Sequence, residues 1–397
     1  MDELDFPTPD VAIETITPRR LKAAIDAGEA VTILDTRMPS EYETWHIDGE
    51  GVTSINVPYF EFLEDEIDPG VFERLPADEE LVVLCAKGGA SEYVAGVLVE
   101  AGFEAVHLEE GMNGWASIYD AVEVEAYDGP GRVWQYQRPS SGCLGYLVVD
   151  GDEAAVIDPL RAFADRYLDD AEERGADLVY ALDTHIHADH LSGVRALVEA
   201  GVEGVLPAPS ADRGATYADD VTLADDGDVF AVGDVHIEAI HTPGHTTDMT
   251  SYLVGEHLLT TGDGLFVESV ARPDLEEGDE GAPDAARQLH RTLHERVLPM
   301  DDDTIVAGAH ASDAAEPASD GTYTATIGEL VDTMAALSLP EDAFVDLVLD
   351  DMPPRPANYE TIIATNLGLE SVDDQRAFEL ELGPNNCAAS QESLAAN

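Results

Sequence analysis

Lysine is almost absent from this chain. Only Lys22 and Lys87 occur in 397 residues, and Lys and Arg together number 19 against 83 Asp and Glu. Nucleic acid is therefore not an expected partner, because phosphate contacts need basic patches that a chain of net charge −64 does not supply. The acid is not gathered in a tail but spread along the whole sequence. Dispersed acid on a chain that is 44% apolar points to a globular protein adapted to very high salt, where screening suppresses self-repulsion. A halophilic source, archaeal by expectation, follows.

Cysteine is also scarce. Cys85, Cys143 and Cys387 are odd in number and far apart, which excludes a disulfide framework and fits a reducing interior. Cys143 and Cys387 have no role assigned beyond packing. No apolar run approaches the roughly 20 residues of a membrane helix, and the acidic start "MDELDFPTPD" is no signal peptide. A soluble, cytoplasmic protein without a membrane partner is expected.

Residues 13–125 alternate β-branched runs with helical patterns. "VTILDTR" (31–37) and "ELVVLCA" (80–86) end in polar loops, and "SEYVAGVLVEAG" (91–102) sets Tyr93, Val94, Val97, Leu98 and Ala101 on one helical face. This predicts a small α/β domain with parallel strands. From about 131 closely spaced strands follow, and residues 123–139 read as a linker or entry strand. Four segments are expected: an N-terminal extension (1–12), an α/β domain (13–125), a second domain (126–366) and an acidic C-terminal extension (367–397) with a flexible end, "AASQESLAAN".

Cys85 leaves a strand and enters a glycine-bearing loop before a helix. Backbone N–H groups in such a loop form an anion nest, and the helix start adds positive potential, so a thiolate is favoured. Lys87, Gly88 and Gly89 belong to that loop.

The second cluster is "THIHADHLSG" (184–193). Alternate strand residues share a face, so His185 and His187 can point to one centre, and the turn brings Asp189 and His190 beside it. "HTPGH" (241–245) adds His245, "TGDGLF" adds Asp263, and "AGAH" adds His310, each after an apolar strand-like run. Such a His/Asp density predicts a metal. His236, His257, His290 and His294 lack that context.

Two resemblances follow from these motifs. "ILDTRMPSEYETWHIDGE", "SINVP", the Cys85 loop and "LEEGMNGWA", in this order, resemble rhodanese. The resemblance implies a sulfurtransferase in which Cys85 carries sulfane sulfur as a persulfide. Active rhodaneses usually have an arginine five residues after the cysteine, where this chain has Ala90. That departure sets thiosulfate as donor in doubt and leaves Lys87 as the only cation within the loop.

The His/Asp constellation resembles the metallo-β-lactamase fold, implying an αββα sandwich behind the α/β rhodanese-like domain. Within that fold two reactions compete. A persulfide dioxygenase would bind one Fe(II) through His185, His245 and Asp263, with His187, Asp189, His190 and His310 as supporting groups. A hydrolase of the glyoxalase II type would bind two Zn or Fe ions, one through His185, His187 and His245, the other through Asp189, His190 and His310, with Asp263 bridging. Arg272 in "ARPDL" and the end "PPRPANYETIIATNLG" resemble the dioxygenase, with Arg272 placed to bind a substrate carboxylate or to support the site through Asp274 and with Pro354, Tyr359 and Asn366 as wall residues.

The expected activity is oxidation of a low-molecular-weight thiol persulfide by O2 to sulfite, fed by a sulfane-sulfur donor through Cys85. The alternatives are the thioester hydrolase and a non-catalytic sulfur relay. A homo-oligomer is compatible with all three.

Overall fold

The computed structural model describes residues 6, 11–63, 67–312, 315–350, 352–383 and 387–389. The end of the expected flexible terminus, 390–397, and most of the 1–12 extension lie outside the described residues. The chain divides into two compact units, Met1–Ile118 and Tyr119–Asn397.

The first unit holds one parallel sheet. Its strands are β1 (Glu14–Ile16), β2 (Val31–Asp35), β3 (Val52–Asn56), β4 (Leu81–Leu84) and β5 (Ala105–Leu108), in the order β1-β5-β4-β2-β3. Every neighbouring pair is parallel. Parallel strands need covering on both faces, so they read as continuous apolar runs. Leu81–Leu84 is such a run, and all four residues are buried. One core contains Ile33, Val82 and Leu84, the other Leu34, Leu81 and Val83 with Val94 and Leu98 of the helix Gly89–Ala101.

The second unit is a two-sheet sandwich. Seven strands form the first sheet: β6 (Asp120–Glu123), β7 (Arg132–Arg138), β8 (Cys143–Asp150), β9 (Glu153–Ile157), β10 (Asp177–Leu182), β11 (Glu203–Pro207) and β12 (Thr222–Ala224). The second contains β13 (Val229–Val232), β14 (Val235–His241), β15 (Thr250–Val254), β16 (Leu258–Gly262), β17 (Ile305–Gly308) and β18 (Ala325–Thr326). Tyr146, Val148, Ala155 and Ile157 of the first sheet pack against Ile237, Tyr252, Val254 and Ile305 of the second. Helices cover the outer faces, with Tyr167, Ala171 and Leu197 on the first sheet and Leu289, Leu293 and Phe344 on the second. The architecture is thus α/β throughout, a parallel α/β unit followed by an αββα sandwich.

Strand β6 pairs antiparallel with β7, so the chain enters the second unit before residue 125. The segment 123–139 supplies β7 rather than a free linker, because alternate residues Val133, Gln135 and the neighbouring Tyr136 are buried there. The described part of 367–389 also packs into this unit. Glu381 is buried against Arg138, and Ala389 N donates to the Val270 carbonyl. No helix among the described residues is long and apolar enough to cross a membrane.

Candidate functional site

In the first unit Cys85 sits directly after β4, below the start of the helix Gly89–Ala101. Its Sγ accepts from the Gly88 N–H at 3.1 Å and lies 3.4 Å from Ser91 Oγ. The loop is held from behind, where Met112 N donates to the Cys85 carbonyl at 2.8 Å. That approach requires glycine at 111, since a Cβ there would stand 2.1 Å from the same carbonyl oxygen and the backbone has φ +56°. Lys87 and Gly89 are exposed, and Ala90 is buried.

In the second unit the polar residues gather at one edge of the sandwich. Asp158 follows β9, the stretch 183–193 follows β10, His245 follows β14, Asp263 follows β16 and His310 follows β17. Cys143 begins β8 on that same edge and bridges His310. Strand ends are where layered α/β proteins build sites, because backbone regularity stops there while the core still fixes direction.

His185, His245 and Asp263 bring one ligand atom each to within 4.8 Å of one another. His185 Nε2 is 3.6 Å and His245 Nε2 3.5 Å from Asp263 Oδ2. All three atoms are buried without a hydrogen-bond partner. The hydrogen bonds on the far side explain why. His245 Nδ1 donates to the Arg272 carbonyl at 2.9 Å, which leaves a lone pair on Nε2. The Thr184 hydroxyl donates to Asp158 and so accepts from His185 Nδ1 at 3.0 Å, which again bares Nε2.

Burial lowers the pKa of both histidines, so both are neutral imidazoles. Burial alone would raise Asp263, but His310 on its other oxygen holds it well below the usual carboxylate range. Three bare acceptors facing one another in a dry site repel unless a cation lies between them. Ligands ~2.1 Å from one ion stand roughly 3–3.4 Å apart, so the observed separations are a few tenths wider than a loaded site. The residues fit a metal.

The other oxygen of Asp263 is already taken, since His310 Nδ1 lies 2.5 Å from Oδ1. His310 Nε2 then meets Asp189 Oδ2 at 3.0 Å, and His190 Nδ1 meets the same oxygen at 2.9 Å. Asp189, His190 and His310 are therefore brought together, with Cys143 beside them. His187 goes elsewhere. Its Nε2 faces Asp158 at 3.2 Å and Asp183 at 3.7 Å, and it groups with those two acids rather than with His185 and His245. Burial and the neighbouring His190 lower its pKa, but the two acids outweigh them and it stands at about 9.

Arg272 is fully buried, and its guanidinium forms a two-point pair with Asp274 and donates to the Pro354 carbonyl at 2.9 Å. It sits behind His245, which its own carbonyl orients. Asn366 clamps the histidine loop. Its amide donates to the carbonyls of His187 (2.9 Å) and His190 (2.8 Å), and its oxygen accepts from Ser192 N. Asn366→Ala should lower the unfolding free energy by about 2–4 kcal/mol, since three buried backbone groups lose their partner at once. Urea titration with and without added metal checks this, and a loss below ~0.5 kcal/mol would contradict it.

Residue spacing did not reveal Asp158, Asp183, Asp248 or the two thiols. Asp158 adopts φ +52° to reach Thr184 N, Thr184 Oγ1 and His187. Asp248 accepts from Ile186 N and Ser210 and pairs with Arg213. Cys143 Sγ lies 3.3 Å from Asp189 Oδ2, and Cys387 groups with Asp189, Asp263 and His310. Burial and Asp189 act against a Cys143 thiolate, yet His310 and His190 outweigh them and lower its pKa, whereas burial, with Asp189 and Asp263, pushes Cys387 well up. Gly262 makes the edge compact, because a Cβ there would stand 2.5 Å from Thr184 Oγ1.

Residues 17–118 match the model of the Rhodanese-like domain, and residues 141–310 that of the Metallo-beta-lactamase superfamily. The human "Persulfide dioxygenase ETHE1, mitochondrial" is 28% identical over 244 residues, 58% of this chain and 89% of the relative. A "Probable hydroxyacylglutathione hydrolase glo2" of Schizosaccharomyces pombe is 28% identical over 186 residues, 45% of this chain and 67% of that protein. Among solved structures, ETHE1 from Myxococcus xanthus matches at TM-score 0.50 and 28% identity over 59% of this chain and 98% of its own. A metallo-beta-lactamase from Staphylococcus aureus matches at TM-score 0.55 and 25% identity, covering 60% and 72%. This protein is a rhodanese-like domain joined in one chain to a domain of the metallo-beta-lactamase superfamily.

Proposed function

We propose that the second domain is a persulfide dioxygenase with one ferrous ion held by His185, His245 and Asp263, and that Cys85 of the first domain carries its sulfane sulfur. The reaction is RSSH + O2 + H2O → RSH + SO3²⁻ + 2 H⁺, where RSSH is the persulfide of a low-molecular-weight thiol. The observation that supports one metal is the set of three bare, buried donor atoms, two imidazole nitrogens and one carboxylate oxygen. Two histidines and a carboxylate on one face leave coordination positions free for O2 and substrate, the donor set of non-haem iron oxygenases. Bound there, iron would supply the one-electron chemistry that O2 needs to react with sulfur.

The chain's own residues do the rest. Thr184 and the Arg272 carbonyl fix both histidine tautomers, and His310 ties down the second oxygen of Asp263. His187, held by Asp158 and Asp183, supports the loop from below. A small crevice lined by Ser141, Asp189, Pro356, Leu380 and Glu381 lies beside Asp189.

A dinuclear thioester hydrolase is the second reading, supported by the convergence of Asp189, His190 and His310 next to Asp263. Metal analysis with an oxygen electrode at high salt separates the two. About one iron per chain and persulfide-dependent O2 uptake are expected. Two metals per chain, thioester cleavage and no O2 uptake would replace the dioxygenase reading with the hydrolase.

A further inference from the structure

The rhodanese-like unit contains a histidine that neither proposed reaction uses. His107 lies on β5, and its Nδ1 is 3.2 Å from Ser91 Oγ. Ser91 is fully buried on the helix Gly89–Ala101, and its Oγ is 3.4 Å from Cys85 Sγ and 3.0 Å from the Gly88 carbonyl. The three side chains form a line from thiol to hydroxyl to imidazole. The His107 ring also backs the loop, because a Cβ on Gly88 would meet His107 Cε1 at 3.4 Å. Where the rhodanese pattern has an arginine, the Ala90 methyl cannot stabilise a thiolate.

We infer that Ser91 and His107 form a proton relay that turns Cys85 into a thiolate, with His107 as a positioning residue acting through Ser91. In the thiol state Cys85 S–H faces Ser91 Oγ, and the Ser91 hydroxyl rotates from the Gly88 carbonyl to donate to His107 Nδ1. Moving both protons one step leaves Cys85 S⁻, an intact Ser91 hydroxyl that now donates to sulfur, and a His107 imidazolium that donates to Ser91. No electron changes hands in that step.

The inference takes its purpose from the sulfur-carrier reading of Cys85. Attack of the thiolate on the outer sulfur of a donor persulfide R–S–SH then breaks the donor S–S bond and forms Cys85–S–SH. The leaving RS⁻ takes the proton from His107 and departs as RSH. Burial lowers the pKa of His107 and keeps it neutral between transfers, while Glu92 and Glu109 act the other way and favour the imidazolium once the proton has arrived. His107 is thus neutral at pH 7 and regains the proton-accepting state after each transfer. The buried Ser91 carries protons in either direction because a hydroxyl both donates and accepts.

The test is the rate at which iodoacetamide alkylates Cys85, followed across pH by mass spectrometry of the Cys85 peptide in the full-length protein. His107→Asn keeps a hydrogen-bond acceptor near Nδ1 but cannot take a proton. The relay predicts alkylation roughly tenfold slower at pH 7 and a profile displaced upward by about one pH unit. Ser91→Ala should behave alike, and Ser91→Thr should restore most of the rate. An unchanged thermal unfolding midpoint in His107→Asn checks that the fold is intact. A wild-type profile in His107→Asn, or full reactivity in Ser91→Ala, would overturn the relay. Persulfide loading is scored separately in Cys85→Ser. If loading persists there, the sulfur-carrier reading falls while the alkylation profile still decides the relay.

Discussion

Asp263→Asn is expected to abolish both metal retention and O2 uptake while leaving the chemistry at Cys85 unchanged. Asp263 presents a single free oxygen to His185 and His245, and it is the only anionic donor in that set. An amide would offer a neutral oxygen or an N–H there, so the charge that offsets a dication is lost. Removing a group that merely orients a ligand typically lowers metal affinity 10–100-fold, and removing the carboxylate itself should exceed that range. Iron content should fall from about one per chain to a small fraction.

Ferrous ion added without oxygen provides a second measure. It should raise the unfolding midpoint of the wild type, since a ligand at 100 times its Kd adds ~2.7 kcal/mol, but not that of the variant. Retained iron with normal O2 uptake would remove His185, His245 and Asp263 from the proposed centre. Loss of two metals instead of one would favour the hydrolase.

The largest expected effect on stability lies away from the metal. Arg138 and Glu381 form a 2.6 Å pair in which both side chains are essentially without solvent contact. The guanidinium carbon also lies 5.4 Å from the centre of the Phe163 ring and 5.3 Å from that of Phe378. The second oxygen of Glu381 accepts from Leu191 N at 2.8 Å, next to the histidine loop. Arg138→Met leaves that carboxylate buried and uncompensated, which typically lowers stability by about 3–5 kcal/mol. High salt should not rescue it, because screening acts on exposed charges and scarcely on buried ones.

The double variant Arg138→Met with Glu381→Gln should recover most of the loss. It removes the charge but keeps an oxygen for Leu191 N. Arg287→Ala, in an exposed pair with Asp284, is the control and should stay within about 0.5 kcal/mol. Equal, small losses in all three variants would mean that Glu381 is not held by Arg138 in solution.

Several features are legible in the order of residues alone. The parallel sheet of the first unit shows in Leu81–Leu84, because a strand covered on both faces must be apolar throughout. Metal-type residues show at the points where apolar runs end, as in Leu182 followed by His185, or Gly262 followed by Asp263. Cys85 stands out because its loop is local, with the Gly88 N–H three residues on donating to its Sγ.

Other features depend on contacts between distant segments. Cys143 meets Asp189 across 46 residues, His310 meets Asp189 across 121, and Asn366 holds the His187 carbonyl across 179. Spacing says nothing about such partners, because Asp189 follows β10 of the first sheet and His310 follows β17 of the second, and only the packing of the two sheets brings those strand ends together. The sequence by itself determined which residue types were available, and the tertiary structure decided which atoms remain bare. His187 and His185 look equivalent in "THIHADH", yet only His185 turns an unpartnered nitrogen toward Asp263, while Asp158 and Asp183 draw His187 away. Asp158, at φ +52°, turns its carboxylate to Thr184 N, Thr184 Oγ1 and His187 Nε2, and so partners the one histidine while Thr184 fixes the other.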